Sequence, residues 1–380
     1  MTQSWMGVNV EKKIKIMTIF GTRPEAIKMA PLIKELEKET AFHTQVVLTG
    51  QHKDQLQQVM DAFQIKADHN LEIMKPNQTL VDINTAILTK LDPILKADKP
   101  DMVLVHGDTS TSLAAAMVAF YHQIPIGHVE AGLRSYDKYQ PFPEEVNRRL
   151  LTHVSDLHFA PTETAKDNLM KENVQGTIYV TGNTAIDAMA YTIKAEHLFT
   201  EQGLNQLDFT KKIIIVTAHR RENLGEPLAQ ICQAIVALKA QHPELQFVYP
   251  LHLNPAVRGV ARQLLGNIEG IYLTEPLDIF DMHNLMAKSY LILTDSGGLQ
   301  EEAPHLDIPV LVLRNVTERP EGLTAGVAKL VGTDPKAIAE SVNHLLTDTK
   351  AYEQMAKGKN PFGDGTASRQ IVAGIKAYFV

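Results

Sequence analysis

Two acidic side chains follow successive strands that the apolar pattern predicts in the first half of the chain. Asp108 comes shortly after the strand Met102–His106, and Glu130 directly after the strand Ile124–Val129. Parallel strands end at one edge of a sheet, so we expect both carboxylates to face one crevice. Like charges there raise the pKa of one group, which divides the pair into an acid and a base. For Asp108 a helix N-cap is the alternative, because aspartate favours that position.

A third acid, Glu144, stands at the start of a predicted helix, directly after the stiff Pro-Phe-Pro turn at residues 141–143. Arg148 lies four residues further on and therefore on the same face of that helix. As a solvated surface pair the two side chains contribute only roughly a few tenths of a kcal/mol to stability. Both interpretations stay open, a surface ion pair and a third member of the acid cluster.

Positive charge also gathers at a strand end in this half of the chain. Arg23 follows the strand Ile14–Phe20 and precedes Pro24, which suits the first position of a helix. Lys28 lies one turn further along the same predicted helix. A guanidinium held at a helix N-terminus binds phosphate well. The alternative is an ordinary strand-to-helix turn with solvated charges.

The second half of the chain opens with a similar arrangement. His219, Arg220 and Arg221 follow the strand Lys212–Ala218. An imidazole beside two guanidinium groups attracts anions, although a single histidine is more often structural. The strand–loop–helix setting favours an anion site.

The strongest local signal is Ser296-Gly297-Gly298, which follows the strand Tyr290–Thr294 and opens a helix. Two glycines allow the backbone N–H groups to approach a diphosphate more closely than residues with a Cβ would. Glu302 lies on the first turns of that helix, at a reach that suits a ribose diol, and Arg319 adds positive charge nearby. A glycine turn with a surface acid is the alternative.

Short buried strands alternate with amphipathic helices along nearly the whole chain, which predicts an α/β fold of two doubly wound, Rossmann-like halves. The first half contains helical stretches such as Glu25–Lys38 and ends in the helix Thr184–Leu198, and the polar segment Thr200–Thr210 is the predicted linker. We therefore expect an N-terminal domain at 13–198 and a C-terminal domain at 211–365. The helix at 366–380 is expected to pack back on the first domain.

Composition excludes several classes of protein. The chain has 380 residues, 44% of them hydrophobic and 21% charged, which is typical of globular proteins. A net charge of −7 argues against nucleic acid as a partner. No apolar run approaches the roughly 20 residues that span a membrane, and residues 1–12 are expected not to form a signal peptide. One cysteine, Cys232, suits a reducing compartment. No motif calls for a metal or a cofactor.

Seven motifs occur in a fixed order and cover the chain from about Lys13 to the C-terminus: GTRPEAIKMAPL, VHGDT, HVEAGLRS, PFPEEVNRR, TAHRRENLG, TDSGGLQEEAP and RNVTERPE. Together they resemble the non-hydrolysing bacterial UDP-N-acetylglucosamine 2-epimerases. The resemblance implies two domains of the GT-B glycosyltransferase type, an active site in the cleft between them, and a homodimer. It further implies a cytoplasmic enzyme that supplies cell-surface polysaccharide synthesis.

The resemblance also implies roles for the residues above. Those of the diphosphate and nucleotide site are Arg23, Ser296, Gly297, Gly298 and Arg319. Glu302 would hold the ribose, and the segment Leu277–Met282 would form a wall against the uracil. The catalytic candidates are Asp108, Glu130, Glu144 and His219, and the residues expected to support them are Lys28 and Arg148.

Many family members are activated by a second UDP-N-acetylglucosamine molecule. The matching positions here are Gln51, Asp54, Asn77, Gln78, Glu144, Arg220 and His252. Asp54 stands where glutamine is usual, and Asn77 stands where arginine is usual. Because the site loses a cation and gains an anion opposite a diphosphate, we predict reduced or absent activation.

The implied reaction inverts carbon 2 of UDP-N-acetylglucosamine to give UDP-N-acetylmannosamine. It proceeds by elimination of UDP, through 2-acetamidoglucal, followed by re-addition of UDP. The roles of the three acids in the two directions stay open. The alternatives are a GT-B glycosyltransferase, a hydrolysing epimerase and a non-catalytic sensor of UDP-sugars.

Overall fold

The structure of the protein is a computed structural model that describes residues 13–50 and 53–380. The chain forms two compact units. The first comprises the described residues up to Ala188 together with Gly365–Val380, and the second comprises Met189–Asp364. The sequence alone predicts these boundaries at residues 198, 211 and 366.

Strands and helices alternate in both units. The strands are β1 (Ile14–Phe20), β2 (Phe42–Leu48), β3 (His69–Asn70), β4 (Met102–His106), β5 (Ile126–Val129), β6 (Leu157–Ala160), β7 (Thr177–Val180), β8 (Ile213–Thr217), β9 (Gln246–Pro250), β10 (Ile271–Thr274), β11 (Leu291–Thr294), β12 (Val310–Val312) and β13 (Ala328–Leu330). The helices are α1 (Arg23–Lys38), α2 (Lys53–Ala62), α3 (Leu80–Asp98), α4 (Ser110–Tyr121), α5 (Glu144–Val154), α6 (Glu163–Lys171), α7 (Thr184–Thr192), α8 (Glu226–Gln241), α9 (Pro255–Leu265), α10 (Ile279–Met286), α11 (Gly297–Glu302), α12 (Pro320–Thr324), α13 (Pro335–Thr347), α14 (Thr349–Ala356) and α15 (Ala367–Phe379). Short 3₁₀ turns occupy Gln202–Gln206, Arg221–Asn223 and Ala303–Leu306.

Each unit is built on a parallel sheet. Among the described residues, the sheet of the first unit has seven strands in the order β3-β2-β1-β4-β5-β6-β7, and that of the second has six in the order β10-β9-β8-β11-β12-β13. In both sheets the order runs outward from the first strand of the unit in two directions, which is the doubly wound arrangement. The predicted fold class, α/β with two Rossmann-like units, is confirmed.

The strands are nearly continuous apolar runs, as expected when helices cover both faces of a parallel sheet. Every residue of β4, β5 and β8 is buried, as expected for parallel strands covered on both sides. In the second unit, Leu228 and Ile235 of α8 pack with β-strand side chains in a core of buried residues. This continuous packing fixes the strands, and so it also fixes the loops that follow their carboxyl ends.

The predicted linker Thr200–Thr210 lies inside the second unit. Phe199, Leu204 and Leu207 are buried in its core together with strand residues, so this segment is a packed part of the unit. The helix predicted at Thr184–Leu198 ends at Thr192. Beyond that point the side-chain oxygen of Asn284 accepts the backbone N–H of Lys194 at 2.8 Å, which stabilises the turn that follows the helix.

The C-terminal helix α15 belongs to the first unit. At its start, the carboxylate of Asp187 accepts the backbone N–H groups of Ala367 and Ser368, at 3.2 and 2.7 Å. Near its end, Lys376 forms an ion pair with Glu39 at 2.7 Å. The helix is therefore attached to the first unit at both ends.

None of the helices in the described part of the chain is both long and apolar enough to cross a membrane. Helix α3 has 19 residues but carries charged side chains such as Asp82 and Lys90. Helix α4 is largely apolar but has only 12 residues, whereas a span needs about 20.

Candidate active site

The first unit brings Asp108 and Glu130 to one edge of its sheet. β4 and β5 are hydrogen-bonded neighbours, with His106 opposite Val129 in the register. Gly107, between β4 and Asp108, has φ +65°, and a Cβ placed on it would lie 3.7 Å from Oε1 of Glu130. The expected proximity of the two strand ends is therefore present, and the positive φ of the turn suits glycine.

Glu130 is surrounded by groups that orient its carboxylate. Lys28 forms an ion pair with Oε2, and the side-chain amide of Asn183 donates a hydrogen bond to the same oxygen at 3.0 Å. Nε2 of the buried His106 lies 3.8 Å from Oε2. Asn183 is not among the residues that the sequence predicts for the site. It nevertheless lies in the loop after β7, and functional residues are expected after the carboxyl ends of parallel strands.

Asp108 is held in place by the next helix. Nη2 of Arg148 lies 2.7 Å from its carboxylate, and the amide of Asn147 donates to its backbone carbonyl at 2.9 Å. Burial raises the pKa of Asp108; the nearby charge of Arg148 lowers it, whereas Glu130 and Glu144 raise it again. The net direction is upward, as expected for one member of a carboxylate cluster. The environment of Asp108 therefore favours its protonated form.

Arg148 does not form the surface pair with Glu144 that their spacing suggests. It contacts Asp108 and, through Nη1 at 3.5 Å, the next acid, Glu145. Oε2 of Glu144 is buried and has no hydrogen-bond partner among the described residues. Arg148 on α5 contacts the loop after β4, where Asp108 lies. The spacing of residues along the helix alone does not reveal this contact.

Glu145 shapes the loop that follows β5. It is fully buried, and its carboxylate accepts the backbone N–H groups of Ser135 and Tyr136 at 2.9 and 3.1 Å. Arg134 in the same loop makes two hydrogen bonds to Glu172, at 2.8 and 2.7 Å. Glu145 therefore has a structural role, since it fixes the backbone of this loop.

Arg23 is the first residue of α1 and Pro24 the second, so the helix begins one residue earlier than the position of Pro24 suggests. The helix begins with a capping box between Thr22 and Glu25. The buried carboxylate of Glu25 also accepts the hydroxyl of Thr109 at 2.7 Å, which joins this turn to the turn after β4. Arg23 is half-buried and forms no ion pair with any residue that the structure describes. Its guanidinium is available for an anion.

In the second unit, Asp295 connects two neighbouring strand ends. It directly follows β11, and its Oδ2 accepts the backbone N–H groups of His219 and Arg220 at 2.7 and 2.8 Å, together with the amide of Asn223 at 2.9 Å. Asp295 is completely buried. Sequence interpretation overlooked it within the Ser-Gly-Gly motif, although an acid directly after a strand is the signal that identified Glu130.

His219 lies between Asp295 and a second histidine. Its Nδ1 is 3.5 Å from Oδ1 of Asp295, and its ring stacks on that of His252, with centroids 5.1 Å apart. Burial lowers the pKa of His219, and His252 and Arg220 lower it too, whereas Asp295 raises it. The imidazole is thus mostly neutral at neutral pH, with a carboxylate placed to stabilise its protonated form.

Two guanidinium groups lie at the start of α11. A Cβ on Gly297 would lie 3.7 Å from Nη2 of Arg319 and 3.9 Å from Nη2 of Arg220. The first N–H groups of a helix have no partner within the helix. The two guanidinium groups therefore lie beside backbone N–H groups at the start of α11. Arg220, which the resemblance implies for the activator site, is thus also next to the glycine pair.

A pocket of about 300 Å³ opens beside this helix start. It is lined by Thr217, His219, Pro250, His252, Pro276, Leu277, Met282, Ser296, Gly298, Leu299 and Glu302. The lining combines apolar side chains with imidazoles, a helix start and a carboxylate. Such a combination suits a planar base with a sugar diol and a charged group.

Some of the residues matched to the activator site are described by the structure and others are not. Gln51 and the side chain of Asp54 lie outside the described residues. Asn77 is exposed with φ +56°, and the side chain of Gln78 bonds to its own loop, at 2.8 Å to Lys75 N and 2.7 Å to Ile73 O. Reduced or absent activation stays a prediction.

The sequence matches the profile of a protein family over residues 34–376, and that family is described as UDP-N-acetylglucosamine 2-epimerase. The chain belongs to the UDP-N-acetylglucosamine 2-epimerase family. The resemblance found in the motifs is thereby confirmed, as is the prediction that the chain is an epimerase and hence an isomerase.

Relatives of this family cover nearly the whole chain. The Bacillus subtilis UDP-N-acetylglucosamine 2-epimerase is 54% identical over 362 residues, 95% of this chain and 94% of that protein. The crystal structure of the Neisseria meningitidis enzyme bound to UDP-GlcNAc matches with a TM-score of 0.85 and 48% identity, over 96% of this chain and 100% of that chain. The S. aureus MnaA–UDP structure matches with a TM-score of 0.84 and 50% identity, over 96% and 97%. These matches confirm the predicted GT-B type of fold.

Proposed function

We propose that the chain catalyses the reversible epimerisation of UDP-N-acetylglucosamine at carbon 2, which gives UDP-N-acetylmannosamine. The observation that carries this proposal is the pair of adjacent carboxylates, Asp108 and Glu130, at neighbouring strand ends, with the pKa of Asp108 raised. A GT-B glycosyltransferase has no use for such a pair. Family membership supports the substrate.

The chemistry requires more than proton abstraction. The hydrogen on carbon 2 is not adjacent to a carbonyl and is barely acidic, so the C1–O bond to UDP breaks first, and its electron pair leaves on the β-phosphate. The resulting oxocarbenium-like centre makes the carbon 2 proton acidic, and a carboxylate accepts it to give 2-acetamidoglucal. A proton returned to the opposite face of carbon 2, with re-addition of UDP at carbon 1, completes the inversion.

The first unit supplies the proton transfer in this proposal. Glu130, oriented by Lys28 and Asn183, and Asp108, oriented by Arg148, are suited to hold and return a proton on two faces of a sugar. Glu144 is the third candidate because one of its oxygens is buried without a partner among the described residues. Carboxylates also stabilise the positive charge that develops at carbon 1.

The second unit supplies the UDP site in this proposal. The backbone N–H groups of Gly297 and Gly298, the hydroxyl of Ser296 and the guanidinium of Arg319 are proposed to hold the diphosphate, because the Ser296 N–H already donates to Thr294. Arg23 is a further candidate for the diphosphate. His219 stabilises the departing diphosphate with a proton or hydrogen bond. Glu302 binds the ribose, and the residues of the uracil wall are Leu277 and Met282.

We further propose that the enzyme is a cytoplasmic homodimer that supplies cell-surface polysaccharide synthesis. These points rest on the family resemblance. They are separate from the reaction and do not affect its test.

Proton NMR of UDP-N-acetylglucosamine with the enzyme in deuterated buffer tests the reaction. We expect an equilibrium mixture of both UDP-sugars with deuterium at carbon 2. Free N-acetylmannosamine would indicate a hydrolysing enzyme, and a lack of exchange would indicate a transferase or a sensor. Asp108→Asn should slow exchange by about a hundredfold or more. The matched control is Asp101→Asn, at the amino end of the same strand, where the carboxylate accepts Lys15 N.

A further inference from the structure

His283 in the second unit lies between a hydroxyl and a carboxylate with no exposure to solvent. Nδ1 is 2.7 Å from the hydroxyl oxygen of Thr192, and Nε2 is 3.5 Å from Oε2 of Glu302. Nε2 has no hydrogen-bond partner within the described part of the chain. A buried polar atom without a partner is uncommon in folded proteins, and this one faces the acid proposed to bind the ribose.

The two neighbours determine which ring nitrogen carries the proton. An ionised carboxylate only accepts hydrogen bonds, so Glu302 favours the tautomer with the proton on Nε2. Nδ1 then accepts the hydroxyl hydrogen of Thr192. A shift of several tenths of an ångström would bring Nε2–H into a charge-assisted hydrogen bond with Oε2.

Helix α10, which carries His283, is anchored through the side chains of two neighbouring residues. The next residue, Asn284, donates to the carbonyl of Thr192 at 2.8 Å and accepts the N–H of Lys194 at 2.8 Å. Two residues before His283, the buried Asp281 accepts the backbone N–H of Glu201 at 2.9 Å. These contacts fix the backbone that carries His283, and the bond of Nδ1 to Thr192 orients its ring toward Glu302.

Glu302 is the partly exposed member of the series of contacts from Thr192 through His283 to Glu302. Its side chain is 16% exposed, and its Oε1 lies 3.8 Å from the Cβ position of Gly298. It lines the pocket together with Met282, the residue that precedes His283 on α10. One helix thus supplies both a wall of the base site and the group that orients the acid.

We infer that His283 is a positioning residue that fixes the carboxylate of Glu302 for the ribose diol, and that it thereby sets the preference of the site for ribonucleotides. The inference rests on the proposed function, because it assumes that the pocket holds UDP. It differs from a purely structural role in one respect: only ligands with ribose hydroxyls should be affected.

Calorimetric titration of the full-length protein with UDP and with 2′,3′-dideoxy-UDP tests the inference. We expect the wild-type protein to bind UDP about tenfold or more tightly than the dideoxy compound, since a charged hydrogen bond is lost. In His283→Leu this ratio should fall to about twofold, with little change in the affinity for dideoxy-UDP. His283→Gln, whose amide nitrogen can replace Nε2, should restore much of the ratio.

Equal weakening of both ligands in His283→Leu would overturn the inference, because it would indicate a structural role. If that variant does not fold, Thr192→Val provides the second test, and an unchanged ratio there would overturn the inference too. The matched control is His242→Leu, another partly buried histidine of the same unit, which bonds to Asn343 and should leave the ratio unchanged. If the wild-type protein binds neither ligand, the proposed function fails; if it binds both equally, only the inference and the ribose role of Glu302 fail.

Discussion

The carboxylate of Asp295 accepts the backbone N–H of His219 at 2.7 Å, and its second oxygen lies 3.5 Å from the imidazole Nδ1. One buried side chain thus fixes both the position of the histidine and the charge beside it. The same arrangement of a carboxylate behind a histidine stabilises the imidazolium in hydrolytic triads.

Asp295→Asn should lower the turnover number by about tenfold or more. The amide keeps an oxygen for the backbone N–H groups but loses the charge that raises the pKa of His219. That pKa then falls, and the limb of the pH–rate profile that reports His219 moves to lower pH. Asp281→Asn is the control, because Asp281 is also buried, accepts backbone N–H groups and contacts a histidine. An equal shift of the profile in the control would contradict the assignment.

Arg148→Gln should move the titration of Asp108 to higher pH. The pKa of Asp108 is raised by burial and lowered by Arg148, so the loss of the guanidinium removes the main opposing effect. Any limb of the profile for deuterium exchange at carbon 2 that comes from Asp108 should shift upward. Arg149→Gln, at the neighbouring and half-exposed position, should leave the limb in place. A shift of equal size in both variants would mean that general surface charge is responsible.

Glu144 and Glu145 are adjacent but should respond differently to the same substitution. Glu144→Gln should reduce epimerisation by about a hundredfold with little loss of stability. Glu145→Gln should instead lower the melting temperature, because its carboxylate holds the N–H groups of Ser135 and Tyr136 in a fully buried place. Thermal unfolding and NMR assays of both variants decide this. Full activity in Glu144→Gln would remove that residue from the proposed acids.

The buried His128 should lower the free energy of unfolding at acidic pH. Burial lowers its pKa from 6.5 to about 3, so between these values the unfolded chain binds a proton that the folded chain does not. The free energy of unfolding therefore falls as pH decreases through that window. His128→Gln should make the loss between pH 7.5 and 5.5 smaller by about 1 kcal/mol, measured by urea unfolding. His43→Gln, at an exposed position, should leave the loss unchanged.

The positions of the strand ends are visible in the sequence for a simple physical reason. Strands of a covered parallel sheet are continuous apolar runs, and the predicted bounds of Ile14–Phe20, Met102–His106 and Leu157–Ala160 agree with the structure. Because chemistry in such folds lies just after these runs, Asp108 and Glu130 could be selected before the structure was known.

The partners of these residues could not be predicted in the same way. Arg148 pairs with Asp108, 40 positions away in the sequence, and His283 reaches Thr192, also distant. Such pairs depend on which elements pack together, whereas the spacing of residues along one helix reports only its own neighbours. For the same reason, the spacing of Glu144 and Arg148 in the sequence left both a surface pair and an acid cluster open.

The central claim is that the C1–O bond of the UDP-sugar breaks during epimerisation. UDP-N-acetylglucosamine labelled with ¹⁸O in the bridge between carbon 1 and the β-phosphorus tests it directly, with ³¹P NMR to read the position of the label. If UDP is eliminated and re-added, the label should move into the non-bridging oxygens of the β-phosphate while deuterium enters carbon 2. Deuterium at carbon 2 with all of the ¹⁸O still in the bridge would contradict the account.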